Sequence, residues 1–453
     1  MSHEENKVAM EDIVNIAKRR GFIYPSSEIY GGFANAWDYG PYGVLLKNNV
    51  KQAWWQDVVM KRSDIVGLDS SILMNPKVWE ASGHLENFTD PLVECKKCHQ
   101  RFKADDPSFA KATEGLRCPE CSGGLTEAQQ FNMMFKTHAG PMEESASQVY
   151  LRPETAQGIF VDFKTILDTT RNKLPFGVAQ IGKSFRNEIT PGNFTFRTRE
   201  FEQFEIEYFV KSALEAKKSF DEWVKVRFEW YKSLGINGDN LRLREHDKKD
   251  LAHYAVEVTD IEYNFPFGFS ELEGIANRGN YDLTQHEKFS GVDLKYFEEE
   301  TKQKILPFVV EPSGGVDRAV LAFLLDAYTV ERLKPSSDGA SDGQGEERIV
   351  LRFSPRLAPI KAAIFPLIKK EPLILKAKEI YHQLKEKYFV EYDESGTIGR
   401  RYRRQDEIGT PICITVDFDT LEDGTVTVRD RDSMKQERIS VDSVAEFVEK
   451  KLG

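Results

Sequence analysis

The sequence predicts an α+β chain: a long body in which helices mix with antiparallel strands, followed by a smaller α/β module. Three observations carry this expectation. Apolar residues recur at helical spacing in two body segments, Leu46, Val50, Ala53, Trp54 and Val58 in one and Ile159, Phe160, Phe163, Ile166 and Leu167 in the other. Phe204, Ile206, Tyr208 and Val210 alternate with Glu205 and Glu207, the pattern of a strand with one buried and one acidic face. Residues 335–347, PSSDGASDGQGEE, have no apolar periodicity and read as an exposed flexible linker between body and tail.

The first helix is opened by Pro41, a favoured first helical position because proline lacks the N–H that would be left unpaired there. After the linker, Ala377, Ile380, Tyr381 and Leu384 repeat at helical spacing, and the later segments PICITVDFD and GTVTVRDRD read as strands. At 453 residues and 40% hydrophobic content the chain can bury a substantial core and divides into two or three domains. No run of about 18 apolar residues occurs, so no membrane span is expected, and the start MSHEENKVAMED lacks a secretory pattern, which points to the cytoplasm. A net charge of -11 excludes a uniformly basic surface but not a nucleic-acid partner met by local patches.

Two knuckles, Cys95-Lys96-Lys97-Cys98 and Cys118-Pro119-Glu120-Cys121, have the spacing of one tetrahedral zinc held by four thiolates. With no open ligand position the zinc would be structural. His99 reads as a solvated neighbour, and Cys413, in an apolar strand, as core.

From Phe185 the chain reads FRNE, a short loop with Pro191 and Gly192, then FRTREFEQFE. A strand out and a strand back would point Arg197, Arg199, Phe201 and Glu205 at one site beside Arg186. Guanidinium groups there suit phosphate oxygens and an aromatic face suits a base, although an Arg/Glu ladder in solvent has the same pattern. The segment EPSGGVDRAVLAFLLDAY adds Gly314 and Gly315, which permit close backbone approach, and Arg318 at the head of an apolar helix. Near the end, GRRYRRQDE gathers Arg400, Arg401, Arg403 and Arg404 around a tyrosine, a cluster that can pair phosphates and stack on an unpaired base.

FRNE with its return, and GVDR entering a helix, resemble motifs 2 and 3 of the class II aminoacyl-tRNA synthetases, and residues 41–76 resemble motif 1. The likeness is closer to the bacterial dimeric glycyl-tRNA synthetases, carried by WDYGPYG, NPKVWEASGH, LRPETAQGIF, FRNEITPGNFTFRTREFEQFE, LREHD, ELEGIANR, EPSGGVDR and RRYRRQDEIGTP in order along the chain. The class pattern usually has glycine where Ser313 stands, and serine agrees with the glycyl branch.

This resemblance implies an antiparallel sheet flanked by helices, with residues 1–334 as the catalytic domain and 89–145 as a zinc-binding insertion between motifs 1 and 2. The linker follows, and then an α/β anticodon-binding domain at 348–453. It implies glycine activation with ATP and Mg2+, transfer of glycine to its tRNA, and a homodimer built on motif 1. Arg186 would hold the α-phosphate and the glycine carboxylate, Arg318 the γ-phosphate, Phe201 the adenine face and Glu271 a magnesium ion. The resemblance adds Asn187, Glu188, Phe196, Arg197, Arg199, Leu272 and Gly315 around ATP, with Glu188 counted among the catalytic set. It places Glu154, Gln203, Glu205, Glu311, Ser313, Arg278, Lys103 and again Phe201 around glycine. A prolyl or threonyl relative, or a non-catalytic RNA-binding one, would share the fold but not the substrate or the activity.

Overall fold

The computed structural model describes residues 8–104, 117–143, 147–252, 254–332 and 347–452. The body is organised by a seven-stranded sheet. Its strands are β1 (Ile65–Gly67), β2 (Phe176–Phe185), β3 (Glu200–Val210), β4 (Leu241–Glu245), β5 (Glu257–Phe265), β6 (Gly268–Gly279) and β7 (Phe308–Gly315), in the spatial order β4-β5-β6-β7-β3-β2-β1. Every pairing is antiparallel except that of β1 with β2.

One face of the sheet carries the main core, where α1 (Pro41–Trp55), α3 (Ala213–Ser233) and α4 (Val316–Ala327) pack over Phe204, Ile206, Tyr208 and Val210. The other face is covered by α2 (Ala156–Thr170), whose Ile159, Phe160, Phe163, Ile166 and Leu167 cluster around Phe176, Val178 and Phe209. The two helical stripes read from the sequence are therefore the covers of opposite faces. Because side chains alternate along β3, Glu205 and Glu207 lie on the α2 side with Phe209. That acidic face is not solvated, since both glutamates are 1% exposed or less.

An insertion built on strands Thr89–Glu94, Arg101–Lys103 and Gln129–Asn132 interrupts the chain between β1 and α2. Most of the expected linker, 335–346, lies outside the described residues. Glu347, expected within it, instead opens β9 (Glu347–Leu351), which pairs antiparallel with β8 (Tyr328–Arg332). Beyond it β10 (Ala362–Pro366), α5 (Glu371–Lys385), β11 (Val390–Tyr392), α6 (Ile398–Ile408), β12 (Ile412–Val416), β13 (Thr425–Asp430) and β14 (Gln436–Ser440) build the α/β tail. Its sheet runs β11-β10-β12-β13-β14, and the helical stripe Ala377, Ile380 and Leu384 is buried on it. Cys413 is buried in β12, as expected. No described helix is long and apolar enough to cross a membrane.

Candidate active site

Arg186 follows the last residue of β2 and extends the ladder, its N–H donating to the Arg199 carbonyl at 2.9 Å. Its Nε donates to the Pro153 carbonyl at 3.0 Å, and its guanidinium lies over the rings of Phe201 (5.3 Å) and Phe88 (5.5 Å). Arg318, on the first turn of α4, approaches from the other side. Its Nε donates to the Phe196 carbonyl at 3.1 Å, its Nη1 pairs with Glu271 at 3.2 Å, and its guanidinium covers the Phe196 ring at 4.5 Å. The two arginines thus share one cleft of about 120 Å³ with Glu188, Phe196, Arg197, Phe201, Gln203, Glu271, Ser313 and Gly315.

The aim of Arg318 is fixed by its neighbour. Asp317 accepts from Tyr39 Oη at 2.7 Å, Lys47 Nζ at 2.8 Å and the Glu202 N–H at 2.7 Å. Burial opposes ionisation of Asp317, but Lys47 and these donors outweigh it and hold the carboxyl below its usual range. Helix α1, strand β3 and the head of α4 are joined through this one carboxylate.

Three sequence expectations change here. Arg197 and Arg199 precede β3 instead of lying on it, because Asn193 and Phe194 take left-handed backbone (φ 56° and 59°) and lead into a short turn, Phe194–Phe196. Arg199, with Asn187, instead lines a neighbouring hollow of about 920 Å³. Leu272 is fully buried in the main core, so its side chain cannot touch a nucleotide. Lys103 pairs with Asp90 at 2.8 Å on the insertion's sheet and is not among the residues lining either cavity.

Beneath the cleft, between β3, β6, β7 and α2, lies a buried polar floor. Glu205 accepts from the Thr155 N–H (2.9 Å), Thr155 Oγ1, Ser313 Oγ (2.6 Å) and Gln203 Nε2 (2.9 Å). Glu311 accepts from Arg278 Nη1 at 2.9 Å, while Arg278 forks onto Asp282 with two bonds of 2.8 Å and stacks on Tyr254 at 3.9 Å. Glu154 accepts from Gln157 Nε2 at 3.1 Å and faces His84 Nε2 at 3.4 Å. Burial opposes ionisation of Glu154, but His84 and Arg278 outweigh it and keep the carboxyl far below the carboxylate range.

The other acids go the opposite way. Burial, reinforced by Glu205 and Glu154 and opposed by Arg278, pushes Glu311 up to about 8. Glu205 is raised by burial and by Glu154. Glu207, whose two oxygens are buried without a hydrogen-bond partner, is raised furthest, by burial and then by Glu311. Buried Glu154, Glu205, Glu207, Glu311 and Asp282 outnumber the arginines Arg152 and Arg278 among them. The raised acids show that the floor carries more carboxyls than its cations can keep ionised, and a small cation placed there would favour their charged forms. Glu207, His84, Gln157 and Asp282 were not singled out from the sequence. The only signal for His84 was its place at the end of NPKVWEASGH, and the acidic alternation at Glu205 and Glu207 gave no hint that the acids were internal.

Residues 135–328 match the tRNA synthetase class II core domain (G, H, P, S and T), and 361–451 match the anticodon binding domain. A glycine–tRNA ligase of Thermobifida fusca is 53% identical over 459 residues, covering 98% of both chains. One from Geobacillus thermodenitrificans is 53% identical over 476 residues with complete coverage of both, and one from Treponema denticola is 53% identical over 438. The chain belongs to the glycine–tRNA ligase family. As a class II synthetase of that family it is an enzyme that uses ATP with Mg2+, and its anticodon-binding domain makes tRNA its partner.

The family member's insertion carries a cysteine cluster that could hold zinc. The sulfurs of Cys95, Cys98, Cys118 and Cys121 lie within 4.8 Å of one another, with Cys95–Cys121 at 3.5 Å and Cys98–Cys118 at 3.6 Å. Thiolates bound at about 2.3 Å to one tetrahedral zinc stand about 3.8 Å apart, so the set fits. Backbone is wrapped closely around it: a Cβ at Gly123 would come within 2.8 Å of Lys97 Cβ and 3.0 Å of Cys95 Sγ. His99 pairs with Glu94 at 3.1 Å, outside the set.

The arginines of GRRYRRQDE lie on a helix, α6. Arg401 is 2% exposed and donates to the carbonyls of Pro366 and Gly396. Arg404 is paired with Asp393. Burial thus removes Arg401 from RNA contact, and of the four only Arg400 is exposed, with Arg403 and Arg404 intermediate. At the helix end Glu407 bridges to Arg19 (2.8 Å) and Arg20 (2.6 Å) of the body, so part of the motif docks the tail.

Proposed function

We propose that this chain activates glycine with ATP to glycyl-adenylate and transfers the glycine to the 3′ end of its tRNA, with the buried acid floor as the amino-acid pocket. The observation that carries the reading is the excess of buried carboxylates directly beneath an arginine-lined cleft. An amino acid set there places its ammonium among Glu154, Glu205 and Glu311 and its carboxylate toward Arg186. The names of the relatives favour glycine over proline or threonine.

In this reading Arg186 neutralises the α-phosphate as the glycine carboxylate attacks in line and pyrophosphate leaves, and Arg318 meets the far phosphates. Adenine would stack on Phe201, with Phe196 under Arg318 as a second aromatic face of the same cleft. Magnesium, when bound, would offset phosphate charge, and Glu271 would hold it after giving up Arg318. Reaction here depends on positioning, and no side chain forms a covalent bond. A packed floor admits the smallest amino acid and rejects larger ones by clash, so no editing step is needed. The domain limits at 334 and 347, the role of Arg400 and Arg403 at the RNA, the structural zinc, the dimer and the cytoplasmic location belong to the same proposal.

The test is exchange of pyrophosphate into ATP. Glycine should drive it, while proline and threonine should not. Arg186→Ala should abolish exchange and leave tRNA binding intact. Exchange driven by another amino acid would end the substrate assignment, and near-normal exchange by the variant would end the role of Arg186.

A further inference from the structure

His84 stands outside the roles assigned so far, yet it touches three parts of the site. Its ring is 9% exposed and packed edge-on against Trp79 (5.5 Å) and beside Phe88 (5.4 Å), the ring that also lies beneath Arg186. Its Nδ1 lies 2.8 Å from Ser82 Oγ and its Nε2 3.4 Å from Glu154 Oε2. The other Glu154 oxygen is occupied by Gln157.

The partners settle which nitrogen carries a proton. If Ser82 donates to Nδ1, the proton of the neutral ring is on Nε2. If Ser82 instead turns to the Trp79 carbonyl, 3.5 Å away, Nδ1 must donate to Oγ. That arrangement sets the Nε2 lone pair of the ring against the Glu154 carboxylate, which disfavours it, so the contacts favour Ser82 donating to Nδ1. In the favoured arrangement an Nε2–H faces Glu154.

The backbone holding this ring is itself clamped. Asn132 Nδ2, on the strand returning from the cysteine-bearing insertion, donates to the carbonyls of His84 and Leu85 at 3.1 Å each. The next residue, Met133, donates its N–H to the Phe88 carbonyl (3.1 Å) and accepts from the Asn187 N–H (2.7 Å). The root of the insertion is thereby tied to Glu154 through one imidazole and to the residue that follows Arg186 through the Asn187 N–H.

We infer that His84 is a positioning residue for amino-acid binding: its Nε2–H fixes the Glu154 carboxylate in the orientation that receives the substrate ammonium. The inference rests on the reading of Glu154 as part of the glycine pocket. A charge-assisted contact of this kind orients as well as stabilises, and its loss falls on the ligand that the carboxylate meets.

The experiment uses the full-length chain and glycine-dependent pyrophosphate exchange. His84→Phe keeps a ring between Trp79 and Phe88 but removes the donor, and His84→Gln restores an N–H at the reach of Nε2. His84→Phe should raise the KM for glycine by about tenfold or more while the KM for ATP stays near wild type. His84→Gln should recover most of the loss, and His84→Phe placed on Glu154→Gln should add little. An unchanged glycine KM in His84→Phe, a His84→Gln no better than His84→Phe, or full additivity with Glu154→Gln would each overturn the inference. If His84→Phe does not fold, the comparison of His84→Gln with His84→Asn, which cannot reach Glu154, decides in the same way. A wild-type chain driven by another amino acid would overturn the glycine reading separately. The inference would then be read from the KM of that amino acid, whose ammonium meets the same carboxylate.

Discussion

Replacing Glu205 with glutamine separates the charge of the proposed amino-acid pocket from its shape. The carboxylate takes two donors from Thr155 on one oxygen and Ser313 Oγ and Gln203 Nε2 on the other. A glutamine there keeps the Thr155 bonds through its carbonyl oxygen and turns its amide toward Ser313 and Gln203. The serine hydroxyl can rotate to accept. Gln203 Oε1, buried without a partner, can swing in to replace its Nε2. One buried N–H is left unsatisfied, a structural cost of about 1–3 kcal/mol. The ammonium loses a charged acceptor worth about 1.5–3 kcal/mol, which at about 1.4 kcal/mol per tenfold is a factor of roughly 10–150. In pyrophosphate exchange the glycine KM of Glu205→Gln should rise by that factor, with the ATP KM near wild type and only a modest fall in melting temperature. An unchanged glycine KM, or equal rises in both KM values, would refute the placement of the ammonium at this acid.

Glu311 gives a pH prediction. Its folded value of about 8 against an ordinary 4.5 means the folded chain holds a proton that the unfolded chain releases. Stability without ligand should therefore fall as pH rises between these values. Glycine, whose ammonium favours the ionised form, should reduce that slope in thermal melts and bind more tightly as pH climbs toward 8, and Glu311→Gln should remove the dependence. Arg227→Met should cost about 3–5 kcal/mol in denaturant melts, because it strands Glu273 in the core. Arg227 and Glu273 form two bonds of 2.6 and 3.0 Å and each side chain is 1% exposed. Adding Glu273→Leu should recover much of the loss. Metal analysis should find about one zinc per chain, and metal-free protein with four free thiols after anaerobic purification would refute the zinc site.

The sequence disclosed what depends on spacing. Both helical covers of the sheet were visible as apolar stripes, the cysteine knuckles as paired spacings, and the arginine grip as two motifs whose convergence only the fold could supply. What escaped was the environment of charged residues. Glu205 and Glu207 alternate with apolar neighbours as an exposed face would, and nothing local marks them as buried, because the cover, α2, comes from elsewhere in the chain. Arg401 read as an RNA contact because its partner, the Pro366 carbonyl, lies on another element. His84 escaped for the same reason, being defined by Glu154, 70 positions away.

The strand order has a consequence for how the protein is made. Strand β7, the last of the seven to be synthesised, sits in the middle of the sheet, between β6 and β3. Until residues 308–315 leave the ribosome, the earlier strands can exist only as two separate ribbons, β4-β5-β6 and β3-β2-β1, each with an open edge. A nascent chain stalled before that point would be an aggregation hazard with neither the buried acid floor nor the arginine cleft complete. Completion would be a single insertion event that closes both edges and brings Glu311, Ser313 and Arg318 into place together. Translation pausing or chaperone capture would be felt most strongly just before β7 emerges.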